Sequence, residues 1–403
     1  MQPLHALRQQ LTTSNPAHRR QVKLQDNLTA FPADLYQLAD TLEILDLSNN
    51  QLTSLPDDLT RFTKLRILFA SNNSFTALPR VLGQMPQLEM VGFKACQIRD
   101  VPADSLPPQL RWLILTDNQI RELPSAIGER PRLQKLMLAC NQLAALPASI
   151  AQCTQLELLR ISSNQFTAIP EAVFQLPRLA WLALAGNPLT QKSEQTSLTA
   201  CAPSAIFYQN MDVDTLLGEG ASGHIYRAVD RHTDEAIALK VFKAGQTSDG
   251  TPQSELAAGL AAGRHPNLLT PLAPVAGHPD GKLAMALPLL PTGLQALAGP
   301  PSFANCTRDV YASDARFARE PAQHMLSAIT AAMHHLHSHG VLHGDLYAHN
   351  ILWNPETGEA VLSDLGAAAL THGLPAHQVQ ALQAMEHRAL AILRDEVYAR
   401  VAP

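Results

Sequence analysis

The chain has 403 residues, enough for two or three domains, with 46% hydrophobic and only 16% charged residues and a formal charge of −5. This balance excludes a disordered chain and leaves no basic footprint for nucleic acid or an anionic membrane surface. Five scattered cysteines, odd in number and without a C-x-x-C pair, exclude a disulfide framework or zinc ribbon and point to a reducing, cytoplasmic setting.

Residues 1–20 have no apolar core of the signal-peptide kind, and no stretch approaches the roughly 18 apolar residues of a membrane span. Leu4 to Leu11 reads as a capping helix within an N-terminal cap, 1–21. From there a repeat governs the chain. Its first leucine recurs at Leu42, Leu65, Leu88, Leu110, Leu133, Leu156 and Leu179, in steps of 22 or 23. Asn50, Asn73, Cys96, Asn118, Asn141, Asn164 and Asn187 recur in register. A proline follows at Pro56, Pro79, Pro102, Pro124, Pro147 and Pro170. Asp26 to Pro32 reads as a degenerate earlier unit. The pattern resembles the leucine-rich-repeat family over residues 22–190. The resemblance implies an α/β solenoid in which each L-x-L pair is a short strand with inward leucines. The Asn amides would form a ladder of backbone bonds from repeat to repeat.

Strand alternation places the intervening residues on the concave face. Two columns there are unusually apolar and contain Ile44, Ile67, Phe69, Met90, Trp112, Ile114, Met137, Leu158 and Trp181. A contiguous apolar face of this size is expected to bind a partner or substrate protein. The competing expectation is that these side chains cover one another or dock against the second domain. Residues 191–210 are polar and read as a cap and linker without an evident helix.

The remaining segment, 211–403, carries a different set of motifs. Gly218-Glu-Gly220-Ala-Ser-Gly223 is followed by β-branched and aromatic residues that continue into a strand. An alternating strand, Ala236 to Phe242, then carries Lys240. Pro252 to Ala262 is a helix offering Glu255, and Arg264-His265-Pro266-Asn267 follows it. Leu283 to Leu290 is an apolar strand, and Ala322 to Ser338 has buried-helix spacing. His343-Gly344-Asp345-Leu346-Tyr347-Ala348-His349-Asn350 comes next, and Ser363-Asp364-Leu365-Gly366 closes the series. In this order the motifs resemble those of protein kinases: a glycine-rich loop, a lysine strand, an H-x-D-L-x-x-x-N loop and a D-F-G variant.

The resemblance implies an α+β, bilobal, protein-kinase-like domain with ATP and Mg²⁺ as cofactors, transferring phosphate to Ser or Thr. Gly218, Gly220 and Gly223 would let backbone approach the phosphates, and Lys240, paired with Glu255, would hold them. Asp345 would accept the substrate proton, His343 would brace the loop, and Asn350 and Asp364 would ligate Mg²⁺.

Several residues depart from the family pattern. Gly344 stands where an arginine usually reads a phosphorylated activation loop, which predicts activity independent of that modification. Tyr347 stands where a lysine is usual. Only 37 residues follow Gly366, so the C-lobe is shortened. Ala381 to Val397, with Glu386, reads as an amphipathic helix that braces the catalytic loop. Two alternatives stay open: a pseudokinase that only holds nucleotide, and a small-molecule kinase of the aminoglycoside or choline class. Seven histidines between His324 and His349 read chiefly as helix-surface residues rather than a zinc site. The polar insert Asn305 to Asp309 has no evident purpose in the sequence.

Overall fold

The 23-residue spacing leaves each repeat room for a three-residue strand and a tight return. The computed structural model has that form; it describes residues 2–13, 19–201, 204–220, 222–243, 247 and 249–402. The chain divides into two units, Met1–Arg160 with Asn164–Leu179, and Ile161–Ser163 with Ala180–Pro403.

In the first unit, helix α1 (Leu4–Thr13) precedes strand β1 (Gln21–Lys23). Six further strands follow: β2 (Ile44–Asp46), β3 (Ile67–Phe69), β4 (Met90–Gly92), β5 (Trp112–Ile114), β6 (Lys135–Met137) and β7 (Leu158–Arg160). Neighbours pair in parallel with identical positions opposed, from Gln21↔Ile44 to Met137↔Arg160. The central residue of each strand, such as Leu45, Leu68 and Leu113, is buried. Proline sets an extended backbone before each return, which is a 3-10 turn at Pro56, Pro79, Pro124 and Pro147 and a single helical turn, α2 (Glu171–Phe174), after Pro170. Leu59, Leu82, Ile127, Ile150 and Val173 close the core from that side.

The asparagine ladder is present. Asn118 donates Nδ2 to the carbonyls of Phe93 and Leu115 at 2.8 and 3.0 Å, and its Oδ1 accepts from Cys96 N and Ile98 N. Cys96 fills the same slot by donating its thiol to Ala70 O at 3.2 Å. The residue before each ladder position is left-handed: Asn49, Asn72, Ala95, Asp117 and Cys140 all have φ between 53° and 61°.

The concave face is less open than its composition suggests. Ile67, Met90 and Leu158 are buried, while Ile44, Phe69, Trp112, Ile114 and Met137 are half-buried. Phe69 lies over Gly92, so close that a Cβ there would meet its ring at 2.5 Å. Trp112 donates Nε1 to Met137 Sδ at 3.2 Å, and the Lys135 ammonium sits 4.3 Å from its ring centroid. These side chains thus cover one another. Trp181 needs the larger correction: it belongs to the second unit and is 1% exposed, so it is no partner surface.

The second unit contains, from Ala180 onward, strand β8 (Trp181–Ala183) and helix α3 (Pro188–Cys201). The linker expected over 191–210 is therefore helical through Cys201. A six-stranded sheet follows, built from β9 (Ile206–Phe207), β10 (Met211–Glu219), β11 (Gly223–Asp230), β12 (Glu235–Phe242), β13 (Ala273–Ala276) and β14 (Ala284–Pro288). Its order is β10-β11-β12-β14-β13-β9. Strand alternation splits β12 between two cores. Ile237, Leu239 and Val241 join one cluster with Ala228 and Ala286. Ala238 and Phe242 join Leu256, Met285 and Leu287 on the opposite face. Lys240 shares that second face with Ala238 and Phe242.

Leu256 lies on helix α4 (Pro252–Ala262), whose start is well specified. Thr251 caps Ser254 N at 3.1 Å, Pro252 takes the first helical position, and Gly263 ends the helix at φ +66°. After β15 (Gln295–Ala296) comes the long helix α5 (Arg319–Ser338), with eight buried residues from Ala322 to Leu336. Strands β16 (Val341–Leu342), β17 (Ile351–Trp353), β18 (Ala360–Leu362) and β19 (Ala369–Leu370) complete two small sheets, β15-β17-β18 and β16-β19. Helix α6 (Ala376–Tyr398) ends the fold. Among the described residues, no helix is long and apolar enough to cross a membrane.

Candidate active site

Lys240, projecting from β12 toward α4, forms an ion pair with Glu255. Both are buried, at 8% and 4% exposure. Burial pushes the Glu255 carboxyl above its ordinary pKa; Lys240 pulls it back and the Asp364 charge raises it again. A cavity of about 240 Å³ opens beside this pair. Gly220, Gly223 and Ile225 line it from one side, Met285 and Leu287 from β14, and Leu352, Asp364 and Gly366 from the other. Gly223 is required where it stands, because a Cβ would fall 2.6 Å from the Val241 carbonyl. Gly218 and Gly220 have no heavy atom within 4 Å of an added Cβ, so their loop is open.

The segment from β16 to β17 carries the remaining predicted residues. His343 is fully buried; its Nε2 donates to Ser363 O at 3.1 Å and its Nδ1 accepts from Asp345 N at 3.2 Å. Those two bonds assign the tautomer and tie the Asp345 segment to the Asp364 segment. Asn350 donates Nδ2 to the Asp345 carbonyl and carboxylate at 2.9 and 3.0 Å. That leaves the amide oxygen, an acceptor, for other duties. Asp364 is exposed to the cavity with φ +59°, and its Oδ1 accepts from Gly366 N. The structure therefore brings Gly220, Gly223, Lys240, Glu255 and Asp364 to one cavity, and links Asp345, His343 and Asn350 to each other beside it.

Oxygen donors of this kind suit a hard divalent cation. An ammonium and an open glycine loop beside an apolar wall suit a nucleotide triphosphate. Asn350 and Asp364 would hold the metal, and Lys240 with the glycine loop would hold the phosphates.

Three further residues shape the site. Glu386, on α6, accepts from Gly344 N at 2.6 Å and from His337 Nε2 at 2.7 Å; the amphipathic pattern had pointed to this helix as the brace. Asp309 accepts from His349 N and Nδ1 at 3.1 and 2.7 Å, which accounts for the polar insert. Burial alone would depress the His349 pKa, but Asp309, with the charges of Asp345 and Asp364, raises it. Trp181 stacks on Tyr347 with ring centroids 4.2 Å apart. Sequence spacing offered no signal for the Asp309 and Trp181 contacts, because each partner lies 40 or more residues away. Other histidines here bond backbone groups: His324 to Thr357 O and His335 to Ala262 O on α5, and His339, just past its end, to His335 O. No group of three or more His, Cys, Asp or Glu side chains that could hold a metal ion occurs among the described residues.

Comparison with known proteins finds likenesses in both halves of the chain. A protein kinase domain model matches residues 211–398, and leucine-rich-repeat models match 41–62 and 131–189. The chain is 31% identical over 176 residues to the DNA damage-responsive serine/threonine-protein kinase RqkA of Deinococcus radiodurans, covering 42% of this chain and 24% of that protein. It is 27% identical over 186 residues to cyclin-dependent kinase 11.1 of Caenorhabditis elegans, covering 45% and 24%. It is 30% identical over 152 residues to human ribosomal protein S6 kinase alpha-2, covering 38% and 18%. The chain thus spans about a quarter or less of these relatives' lengths. A leucine-rich-repeat protein structure from Leptospira interrogans aligns over 49% of this chain and 68% of its own at 22% identity, with a TM-score of 0.36. The chain carries leucine-rich repeats in its N-terminal half, followed by a protein kinase domain over residues 211–398.

Proposed function

We propose that the protein is a serine/threonine protein kinase that transfers the γ-phosphate of Mg²⁺-bound ATP to a Ser or Thr hydroxyl. The Lys240–Glu255 pair and Asp364, which line one glycine-rimmed cavity, with the bonded Asp345–Asn350 pair beside it, support this reading. ATP with its Mg²⁺ would supply the phosphoryl group and charge neutralisation. The chain's part is positioning. Lys240 orients phosphate, with Glu255 holding the ammonium in place. Asp345 receives the hydroxyl proton, while its bond from Asn350 Nδ2 fixes the carboxylate. His343 keeps that segment in register with Asp364.

Radiolabel transfer from ATP by the purified chain, beside Lys240→Met and Asp345→Asn, tests the reading. Loss of at least about a hundredfold in both variants is expected. Equal labelling by all three would overturn an enzymatic role. ATP binding without transfer would indicate a nucleotide-binding pseudokinase. Transfer only to small alcohols would indicate the small-molecule class.

Leucine-rich repeats suit protein interaction, and the half-buried concave residues Ile44, Phe69, Trp112, Ile114 and Met137 are the proposed contact surface for a partner or substrate. Trp112→Asp should strip proteins that copurify with the wild-type chain, and an unchanged set would overturn the assignment. All five cysteines are free, which suits a cytoplasmic, reducing compartment.

A further inference from the structure

One short segment, residues 180–201, reaches both halves of the catalytic apparatus. Its first contact is Trp181. The indole lies parallel to the Tyr347 ring, with a 10° interplanar angle, and donates Nε1 to Leu346 O at 2.9 Å. The Arg308 guanidinium sits 5.4 Å from the same indole. Leu346 and Tyr347 directly follow Asp345, so both contacts act on the catalytic loop. The neighbouring carbonyl of Leu182 fills the space at Gly344, 2.7 Å from where a Cβ would stand.

The second contact is Glu194, on α3. This buried carboxylate accepts from Gly186 N at 2.9 Å and from Ser254 Oγ at 3.0 Å. Ser254 precedes Glu255, the partner of Lys240. One turn further along α3, Leu198 packs into the cluster of Phe242, Leu256, Met285 and Leu287. A segment that merely connected two folds would not need a buried carboxylate and a buried indole, each of which requires its polar atoms to be matched. Here both are matched, by the two elements whose placement decides the site.

We propose that residues 180–201 are a positioning element of the kinase unit, holding the catalytic loop through Trp181 and helix α4 through Glu194. The proposal rests on the phosphotransfer reading and adds the source of order in that site. Trp181 and Glu194 act through Tyr347, Leu346 and Ser254 and do not touch the reacting atoms.

The test uses the full chain with Trp181→Ala, Trp181→Phe, Glu194→Ala and Glu194→Gln. Turnover and amide hydrogen exchange are measured together. The alanine variants should lose about ten- to a hundredfold in kcat, with the peptide KM within about twofold, as expected for mispositioned groups. Exchange should quicken in residues 343–350 for Trp181→Ala and in 252–262 for Glu194→Ala, with β10 to β12 unchanged. Trp181→Phe keeps the stack but loses the bond to Leu346 O, and should give a smaller loss confined to 343–350. Glu194→Gln keeps one acceptor and can donate to Ser254 Oγ, so it should recover most of the rate. Wild-type kcat and exchange in Trp181→Phe and both alanine variants would overturn the proposal. If an alanine variant unfolds, local quickening in Trp181→Phe at an unchanged unfolding midpoint supports it, and no quickening overturns it. If the wild-type chain transfers no phosphate, the phosphotransfer reading fails, and the exchange data still decide whether the segment orders the two elements.

Discussion

Replacing Gly344 with alanine tests the packing of the catalytic loop most directly. The residue has φ +75°, which costs an L side chain about 1–2 kcal/mol. Its new Cβ would lie 2.5 Å from Ala367 O and 2.7 Å from Leu182 O, inside the 3.0 Å limit that real Cβ contacts respect. Both obstacles are backbone, and overpacking of this kind adds about 1–3 kcal/mol. The loop cannot simply retreat, because Gly344 N is tied to the Glu386 carboxylate at 2.6 Å. The sum is a loss of about 2–5 kcal/mol. A Trp112→Phe background leaves Trp181 and Trp353 as the only fluorophores of their kind, so indole emission during urea unfolding reports the second unit. Gly218→Ala is the control, since Gly218 lies outside the left-handed region and has no heavy atom within 4 Å of the added Cβ. A shift below about 0.5 kcal/mol for Gly344→Ala, the range of ordinary surface changes, would refute the reasoning.

Asn118→Ala removes the partner of two buried carbonyls and two buried amides, so the repeat unit should lose about 3–5 kcal/mol in a denaturation series. Burial pushes the Cys96 and Cys153 thiols up to about 11, so at pH 8 the native chain should alkylate at the partly exposed Cys201 first, with the other two reacting only on unfolding. A double-mutant cycle on Asp309→Ala and His349→Ala should return a coupling of about 1.5–3 kcal/mol, as for a hydrogen bond to a charged group. Coupling below about 0.5 kcal/mol would mean the insert does not hold the catalytic loop.

What was legible in the sequence was whatever repeats or alternates. Seven leucines in register placed the repeat strands, and the alternation of Ala236 to Phe242 placed Lys240 on the α4 face. Helix α4 runs over Pro252–Ala262 as read, because Thr251, Pro252 and Gly263 punctuate it. Helix α3 was illegible for the opposite reason. It is rich in Thr, Ser and Gln, and its buried residues, Thr190 and Glu194, form no apolar stripe. Its placement comes from Leu198 and Glu194 meeting the sheet and α4, contacts no local pattern encodes. The left-handed positions at Ala95 and Cys140 were hidden likewise, since neither residue type favours that backbone and only the ladder on either side requires it.

The departures from the kinase pattern have a common physical basis. Gly344 and Tyr347 look like two separate losses of a cation when the loop is read alone, with His349 beside them. Each meets a partner that ordinary spacing would not suggest. The Leu182 and Ala367 carbonyls exclude any side chain at Gly344. Trp181 takes the ring of Tyr347, and Asp309 takes the imidazole and amide of His349. Restoring a family residue singly would therefore place an arginine against two carbonyls, or remove half of a stack or of a partly buried hydrogen-bonded pair. The loop and its surroundings form a matched set. Reading these substitutions as decay would predict that reverting them one at a time stabilises the loop. The packing requires the opposite sign at each position.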